Sequence, residues 1–374
     1  FSLKLNGKTM LSANARDTLI FSDSLLPKQA YTYRAYRLNG AIIFDSSDAL
    51  TITTMDTTSH NFTWEIDTLG DGNSSVLNDV FILNDTCVYA VGEIYKRDSL
   101  GQWNTDPYNF LKWDGKKWEM TSITYVPVRA VFAFSENDIW AGTSGPYYWD
   151  GTRWRTFNIS GAFNGYVNKF WGTSSTNMYM VGTNGSIAHY NGSSWRKMES
   201  GTDVNLTDVW GSPDGSVVWA CGWEDFKPTV LLRLRNGLWG KAWEENHPFT
   251  QRDDTLSGAF TSVWLPNNRQ LFALSWYGLY RCPTTTNGEG NRIPLPPTWS
   301  GFLWRLRGND ANDLFIVGEY YMVAHYNGMT FRHYQELHGY GRLHSVAQKE
   351  NLVVAVGLSF DPIHRLGIVY IGRR

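Results

Sequence analysis

Seven times along this chain the same phrase returns, and that repetition constrains the fold more than any other property of the sequence. It opens as "NDVFILNDTCVYAVGE" (78–93), "RAVFAFSENDIWAGTSG" (129–145), "NKFWGTSSTNMYMVGTNG" (168–185), "TDVWGSPDGSVVWACGW" (207–223), "TSVWLPNNRQLFALSWYG" (261–278), "WRLRGNDANDLFIVGEYY" (304–321) and "HSVAQKENLVVAVGLS" (344–359). Its second half recurs in "LKWDGKKWEM", "YYWDGTRWRTF", "SIAHYNGSSWRKM", "VLLRLRNGLWGKAW" and "MVAHYNGMTFRHY". A short apolar strand leads through a polar turn into an alternating strand that ends at glycine. A third strand runs into Asn-Gly or Asp-Gly, and a fourth starts at Trp or Phe. These dipeptides between alternating strands predict type I′ hairpins, in which both central residues take positive φ. Each phrase therefore spells a four-stranded antiparallel meander.

The anchors Val80, Val131, Phe170, Val209, Val263, Leu306 and Val346 are spaced by 51, 39, 39, 54, 43 and 40 residues. Four strands at such a period are the signature of a β-propeller blade, and a helical 3.6 period is absent. The last phrase holds only three strands before Arg374. A closed ring needs a fourth, and the orphan "NFTWEID" fits that place, so residues 62–66 are expected to close blade seven. Upstream, "LLPKQAYTYRAYRLN" carries Leu25, Pro27, Tyr31, Tyr33 and Ala35 at a spacing that resembles the tyrosine corner of fibronectin type III domains. About five of the usual seven strands fit there, so the expectation is that the first two are missing from this sequence or that another segment fills their place. The predicted fold is all-β: a partial fibronectin type III-like β-sandwich (1–56), a linker with the closing strand (57–76), and a seven-bladed β-propeller (77–374).

Charge narrows the function. Lys plus Arg number 33 against 35 for Asp plus Glu, and a net charge of -2 offers no general attraction to nucleic acid. No apolar run approaches the ~20 residues of a transmembrane helix. Cys87, Cys221 and Cys282 are too scattered for a disulfide framework or a zinc site, and Cys87 and Cys221 lie in strand-like runs that predict buried thiols. No His pair stands at metal spacing, no glycine-rich loop cradles a phosphate, and no cofactor is expected. His189 and His325 recur at equivalent blade positions, which marks them as scaffold. "SPDGSVVW" (212–219) is read as a turn.

The whole chain resembles secreted or lipid-anchored proteins of Bacteroidetes-like bacteria, in which a fibronectin-type module precedes a seven-bladed propeller. Residues 168–195 and 304–331 carry the likeness most clearly. The resemblance implies an extracellular or outer-surface anchored location. It also implies O-glycans at Asp-Ser/Thr followed by an aliphatic residue or Thr, which places them on Thr18, Ser24, Thr57, Thr68, Ser99 and Thr255.

Insertions at 93–109, 244–259 and 358–366 all belong to one face of the ring, and elaboration of one face marks a working surface. The candidate ligand or partner contacts there are Glu93, Arg129, Tyr147, Lys169, Asp208, Trp223, Trp276, Tyr277, Arg305, Glu319, Tyr320 and His344. Aromatic rings beside carboxylates and arginines suit a protein or a glycan partner. The expected function is a non-enzymatic surface propeller that binds such a partner. One alternative is a subunit of an extracellular filament or lattice, a homo-oligomer joined through the N-terminal module. Another is a glycan-active enzyme using two of Glu93, Asp208 and Glu319.

Overall fold

The computed structural model describes residues 2–5, 8–12, 25–39, 42–247, 256–296, 299, 301–361 and 364–374. Among them, seven four-stranded antiparallel sheets follow one another, six in sequential strand order and the seventh with its outer strand taken from before the first. The inner strands are Gly72–Asn84, Ala130–Ser135, Val167–Ser174, Leu206–Gly211, Phe260–Trp264, Leu303–Asp310 and Gly341–Lys349. A lone blade cannot bury both of its faces, so the core lies between blades. Trp140 of blade two packs on Tyr190 and Trp195 of blade three at ring-centroid distances of 5.0 and 5.6 Å.

The glycine that closes the second strand has a steric cause. A Cβ on Gly182 would sit on the carbonyl oxygen of Tyr166, and one on Gly357 on that of Arg342. In both cases this carbonyl belongs to the chain entering the inner strand of the same blade. Only glycine lets the two strands approach there.

The Asn-Gly and Asp-Gly turns depart in part from expectation. Arg235 pairs with Leu238, and Asn236 and Gly237 have φ of 50° and 76°, as a type I′ turn requires. At the other four sites the partners are Trp113↔Trp118, Trp149↔Trp154, Tyr190↔Trp195 and Tyr326↔Phe331, so each loop has four residues. There glycine alone takes positive φ. The Asx side chain does the rest: Asp114 Oδ1 accepts from the amides of Lys116 and Lys117, and Asn327 Oδ1 from those of Met329 and Thr330.

Blade seven is completed as its missing strand demanded. Thr63–Leu69 pairs antiparallel with Gly367–Arg373, with Ile66 opposite Tyr370. The segment before it is tied to blade six. Thr58 Oγ1 donates to the Asn312 carbonyl at 2.5 Å, and Asn312 Nδ2 donates to the Asp56 carbonyl at 2.6 Å. His60 Nδ1 lies 2.8 Å from His325 Nδ1, and His325 Nε2 lies 2.8 Å from Asp313 Oδ1. Burial opposes ionisation of Asp313, but His325, Arg374 and Asn309 outweigh it and hold its carboxyl well below the usual range. An ionised Asp313 only accepts, so His325 donates to it through Nε2. His60 Nε2 lies 3.1 Å from the Thr330 hydroxyl, which itself donates to Asn327 Oδ1 at 3.2 Å.

The N-terminal part is a single five-stranded sheet among the described residues, and no separate sandwich is evident. Ala30–Asn39 pairs with Ser2–Leu5 on one edge and with both Ile42–Ser46 and Leu50–Thr53 on the other, so every strand joins one layer. The local tyrosine contact is present: the Leu26 amide donates to Tyr31 Oη at 2.7 Å. With no second layer over it among the described residues, the sheet leaves Ile42, Phe44, Leu50 and Ile52 exposed.

Candidate functional site

The elaborated face is built on a register shared by all blades. Two residues before each anchor stand Asn78, Arg129, Asn168, Thr207, Thr261, Trp304 and His344, and all seven line one cavity of about 520 Å³. Five of them latch onto the chain entering the next blade. Asn78 Nδ2 donates to Val128 O, Asn168 Nδ2 to Leu206 O, Thr207 Oγ1 to Thr261 O and Thr261 Oγ1 to Leu303 O, at 2.9–3.1 Å. His344 Nδ1 donates to Leu77 O at 3.0 Å. Burial, then the charges of Arg342 and Arg305, overcome that bond and lower the His344 pKa to about 4, so the ring is neutral and Nε2 is an acceptor.

Arg129 and Trp304 break the pattern. The Arg129 guanidinium lies over the Tyr166 ring at 4.2 Å. Trp304 Nε1 donates to Glu319 Oε1 at 3.2 Å, which also takes Arg342 Nε at 2.7 Å, while that guanidinium covers the Trp304 face at 4.6 Å. Trp223 stands 6.4 Å from Trp304 and packs edge-on against Trp276 at 4.5 Å, making an aromatic wall.

One residue further along four of the inner strands stand Asp79, Lys169, Asp208 and Arg305, which with Arg307 form a buried ionic layer beneath the cavity. Lys169 Nζ reaches both Asp79 oxygens at 2.6 and 2.7 Å, and Ser345 Oγ and the Val131 amide complete that carboxylate. Asp208 binds Arg305 at 2.9 Å and Arg307 at 2.7 Å and accepts from Ser262 Oγ and the Val263 amide. Burial works against the Asp208 carboxylate, yet Arg305 and Arg307 outweigh it and hold its pKa far below the ordinary range. Lys169 is pushed down to about 8, first by burial and then by the two arginines, with Asp79 opposing.

Of the candidates from sequence, Glu93, Arg129, Trp223, Arg305 and His344 meet at the cavity. Trp276 backs the wall. Tyr320, at φ 56°, is exposed at the tip of its loop. Lys169 and Asp208 lie in the buried ionic layer, 3% and 0% exposed, where they pair internally. Glu319 is buried beneath Trp304, so of the carboxylates proposed for glycan chemistry only Glu93 lines the cavity. Tyr147 is turned away: its hydroxyl meets Thr124, and its ring packs with Phe110 and Ile139 between blades one and two. Tyr277 stays beside Gly258, its carbonyl held by Arg292.

Sequence reasoning missed Trp304, Arg307, Asp79, Phe226 and Tyr340. Trp304 was findable by placing the seven phrases in register, where it occupies a slot otherwise filled mostly by small or hydrogen-bonding residues. Cys87, Cys221 and Cys282 are buried free thiols. His189 and His325 both bond through Nε2 to the first residue of the preceding strand, Asn177 and Asp313. Thr57, Thr68 and Ser99 are exposed, whereas Thr18, Ser24 and Thr255 lie outside the described residues. The aspartates beside the exposed three have structural partners: Asp56 pairs with Lys28, Asp67 holds Trp118 Nε1, and Asp98 caps its own turn. Among the described residues, no helix is long and apolar enough to cross a membrane.

Neither a family model nor a curated protein matches the chain. Solved structures share its fold. Ycf48 bound to a D1 peptide superposes with a TM-score of 0.61 at 13% identity, covering 85% of this chain and 97% of that one. Ycf48 from Cyanidioschyzon merolae gives 0.57 at 14%, covering 83% and 98%. The WD40 β-propeller domain of Doa1 gives 0.57 at 13%, covering 83% and 97%. At such identity the likeness concerns the fold: the chain is a β-propeller of the kind seen in Ycf48 and WD40 proteins.

Proposed function

We propose that this chain is a non-enzymatic surface propeller that binds a protein partner through its elaborated face. One observation carries the reading. Of the ten large apolar side chains exposed on the described residues from 57 onward, seven stand on that face: Leu100, Tyr125, Tyr166, Phe226, Phe302, Tyr320 and Tyr340. Exposed apolar groups gathered around a polar cavity are the composition of a protein interface, with the aromatic rings as its anchors. The D1 peptide held by the Ycf48 structure supports this ligand class for a propeller of similar fold. An extracellular, bacterial setting is the one that the sequence resemblance implies.

The test compares the double variant Phe226→Asp and Tyr340→Asp with Met329→Asp on the opposite face, using cross-linking at the cell surface followed by identification of the captured protein. Loss of one defined partner in the first variant alone supports the reading. Equal capture by all three proteins sinks it.

A second reading has its own observation, the uncovered apolar sheet carrying Ile42, Phe44, Leu50 and Ile52. Light scattering decides whether copies assemble through it, and an assembly unaffected by Phe44→Asp excludes that route.

A further inference from the structure

The buried layer under the cavity holds two carboxylates, Asp79 and Asp208, against three cations, Lys169, Arg305 and Arg307. One positive charge is left without a counter-ion, and the hydrogen bonds show where. Lys169 is saturated by both oxygens of Asp79. Arg307 spends Nη1 and Nη2 on Asp208, Ser262 Oγ and two carbonyls, with its plane on Trp210 at 4.2 Å. Arg305 is different. Its Nη1 serves Asp208 and the Thr207 carbonyl, while its buried Nε has no partner, and the side chain lines the cavity. The residue is only 9% exposed, so water compensates it poorly.

The geometry points to a carboxylate-binding site at Arg305 on the floor of this cavity, filled by an acidic side chain or the C-terminal carboxylate of a protein partner. This rests on the partner-binding reading above and adds its anchor. A carboxylate in the cavity supplies the counter-charge that the layer beneath lacks, beside a guanidinium whose side chain lines that cavity. The neutral His344 offers no competing charge, and its Nε2 accepts from an N–H beside the carboxylate. Glu93, Glu224 and Asp225 line the same cavity but are half-buried or exposed, where solvent screens them. They disfavour a dianion and select a single carboxylate flanked by donors.

The test uses the full chain with fluorine-labelled tryptophan, reading the resonances of Trp223 and Trp304. The probes are N-acetylglycine for a C-terminus, N-acetylglutamic α-amide for a side chain, their neutral amides, and glucuronate for an acidic sugar. We expect one or both acids to shift the two resonances saturably and at least about tenfold more tightly than the amides. Arg305→Met should abolish the shift, and the acid-versus-amide comparison in the unaltered protein stands even if that variant misfolds. Equal binding of acids and amides, or no saturable shift, overturns the site. Tighter binding of glucuronate than of either peptide probe overturns its assignment to a protein. If the probes fail while the Phe226 and Tyr340 variants still lose the partner, the anchor falls and the interface remains.

Discussion

Replacing Lys169 by Met is the sharpest perturbation of the buried ionic layer. It keeps the apolar stem and removes the ammonium that satisfies both oxygens of Asp79, a residue 1% exposed. Breaking a buried pair from one side costs about 3–5 kcal/mol. Asp79 would retain the Ser345 hydroxyl and the Val131 amide, which argues for about 3 kcal/mol, or roughly 5 °C of melting temperature at this chain length. The reverse change, Asp79→Asn, should cost less, because a Lys169 already lowered to about 8 gives up its proton readily. That variant should also recover with alkali. A lysine with a lowered folded pKa makes the unfolded chain bind more protons between about pH 8 and 10.5, so stability rises with pH in that window. With both residues changed, neither charge is orphaned, and the double variant should lie within about 1 kcal/mol of the parent. The assay is urea unfolding followed by tryptophan emission across pH for all four proteins. Additive losses, or an Asp79→Asn cost equal to that of Lys169→Met at every pH, would refute the reasoning.

The His60 and His325 latch makes a prediction in acid. Burial first, then His325 and Arg332, lower the His60 pKa from 6.5 to about 4, so its contribution is complete above pH 6.5 and is lost as pH falls towards 4. Protonating His60 puts a charge in a half-buried site facing Arg332, while Asp313, Arg374 and Tyr334 stay in place around the pair. For a half-buried ring the effect should be about 1–2 kcal/mol after screening, seen as faster hydrogen exchange at Phe62 that His60→Gln makes independent of pH. Gly182→Ala should cost about 3 kcal/mol through its clash with the Tyr166 carbonyl, whereas Gly240→Ala, with open space around it, should stay within about 0.5 kcal/mol in the same unfolding assay. Asn168→Ala removes a bond to the Leu206 carbonyl and should cost about 1 kcal/mol, while Arg129→Ala, which loses only an exposed stacking contact with Tyr166 at the entry to blade three, should cost about 0.5 kcal/mol.

The division between what was legible and what was not follows the range of the interactions. Anchor spacing and hairpin dipeptides are local, so blade number, strand order and the ring-closing strand at Thr63–Leu69 could be read from the chain. The turn type at Asp114 and Asn327 was misjudged because a side-chain oxygen can replace a second positive φ, and the dipeptide alone does not report which occurs. Lys169, Asp208 and Arg305 were read as contacts for a partner, but their own partners lie on other blades, and of the three only Arg305 lines the cavity.

By itself the sequence determined the propeller, because each repeat carries the apolar alternation, the close-approach glycine and the turn that a blade needs. The tertiary structure decided which charges face water and which face each other. Asp79 and Lys169 are 90 residues apart in the chain and Asp208 and Arg307 are 99 apart, and only closure of the ring brings each pair into contact. The same closure leaves Arg305 with a buried donor and places it under an aromatic cavity. That arrangement depends on seven inner strands converging on one axis, and convergence has no local signal.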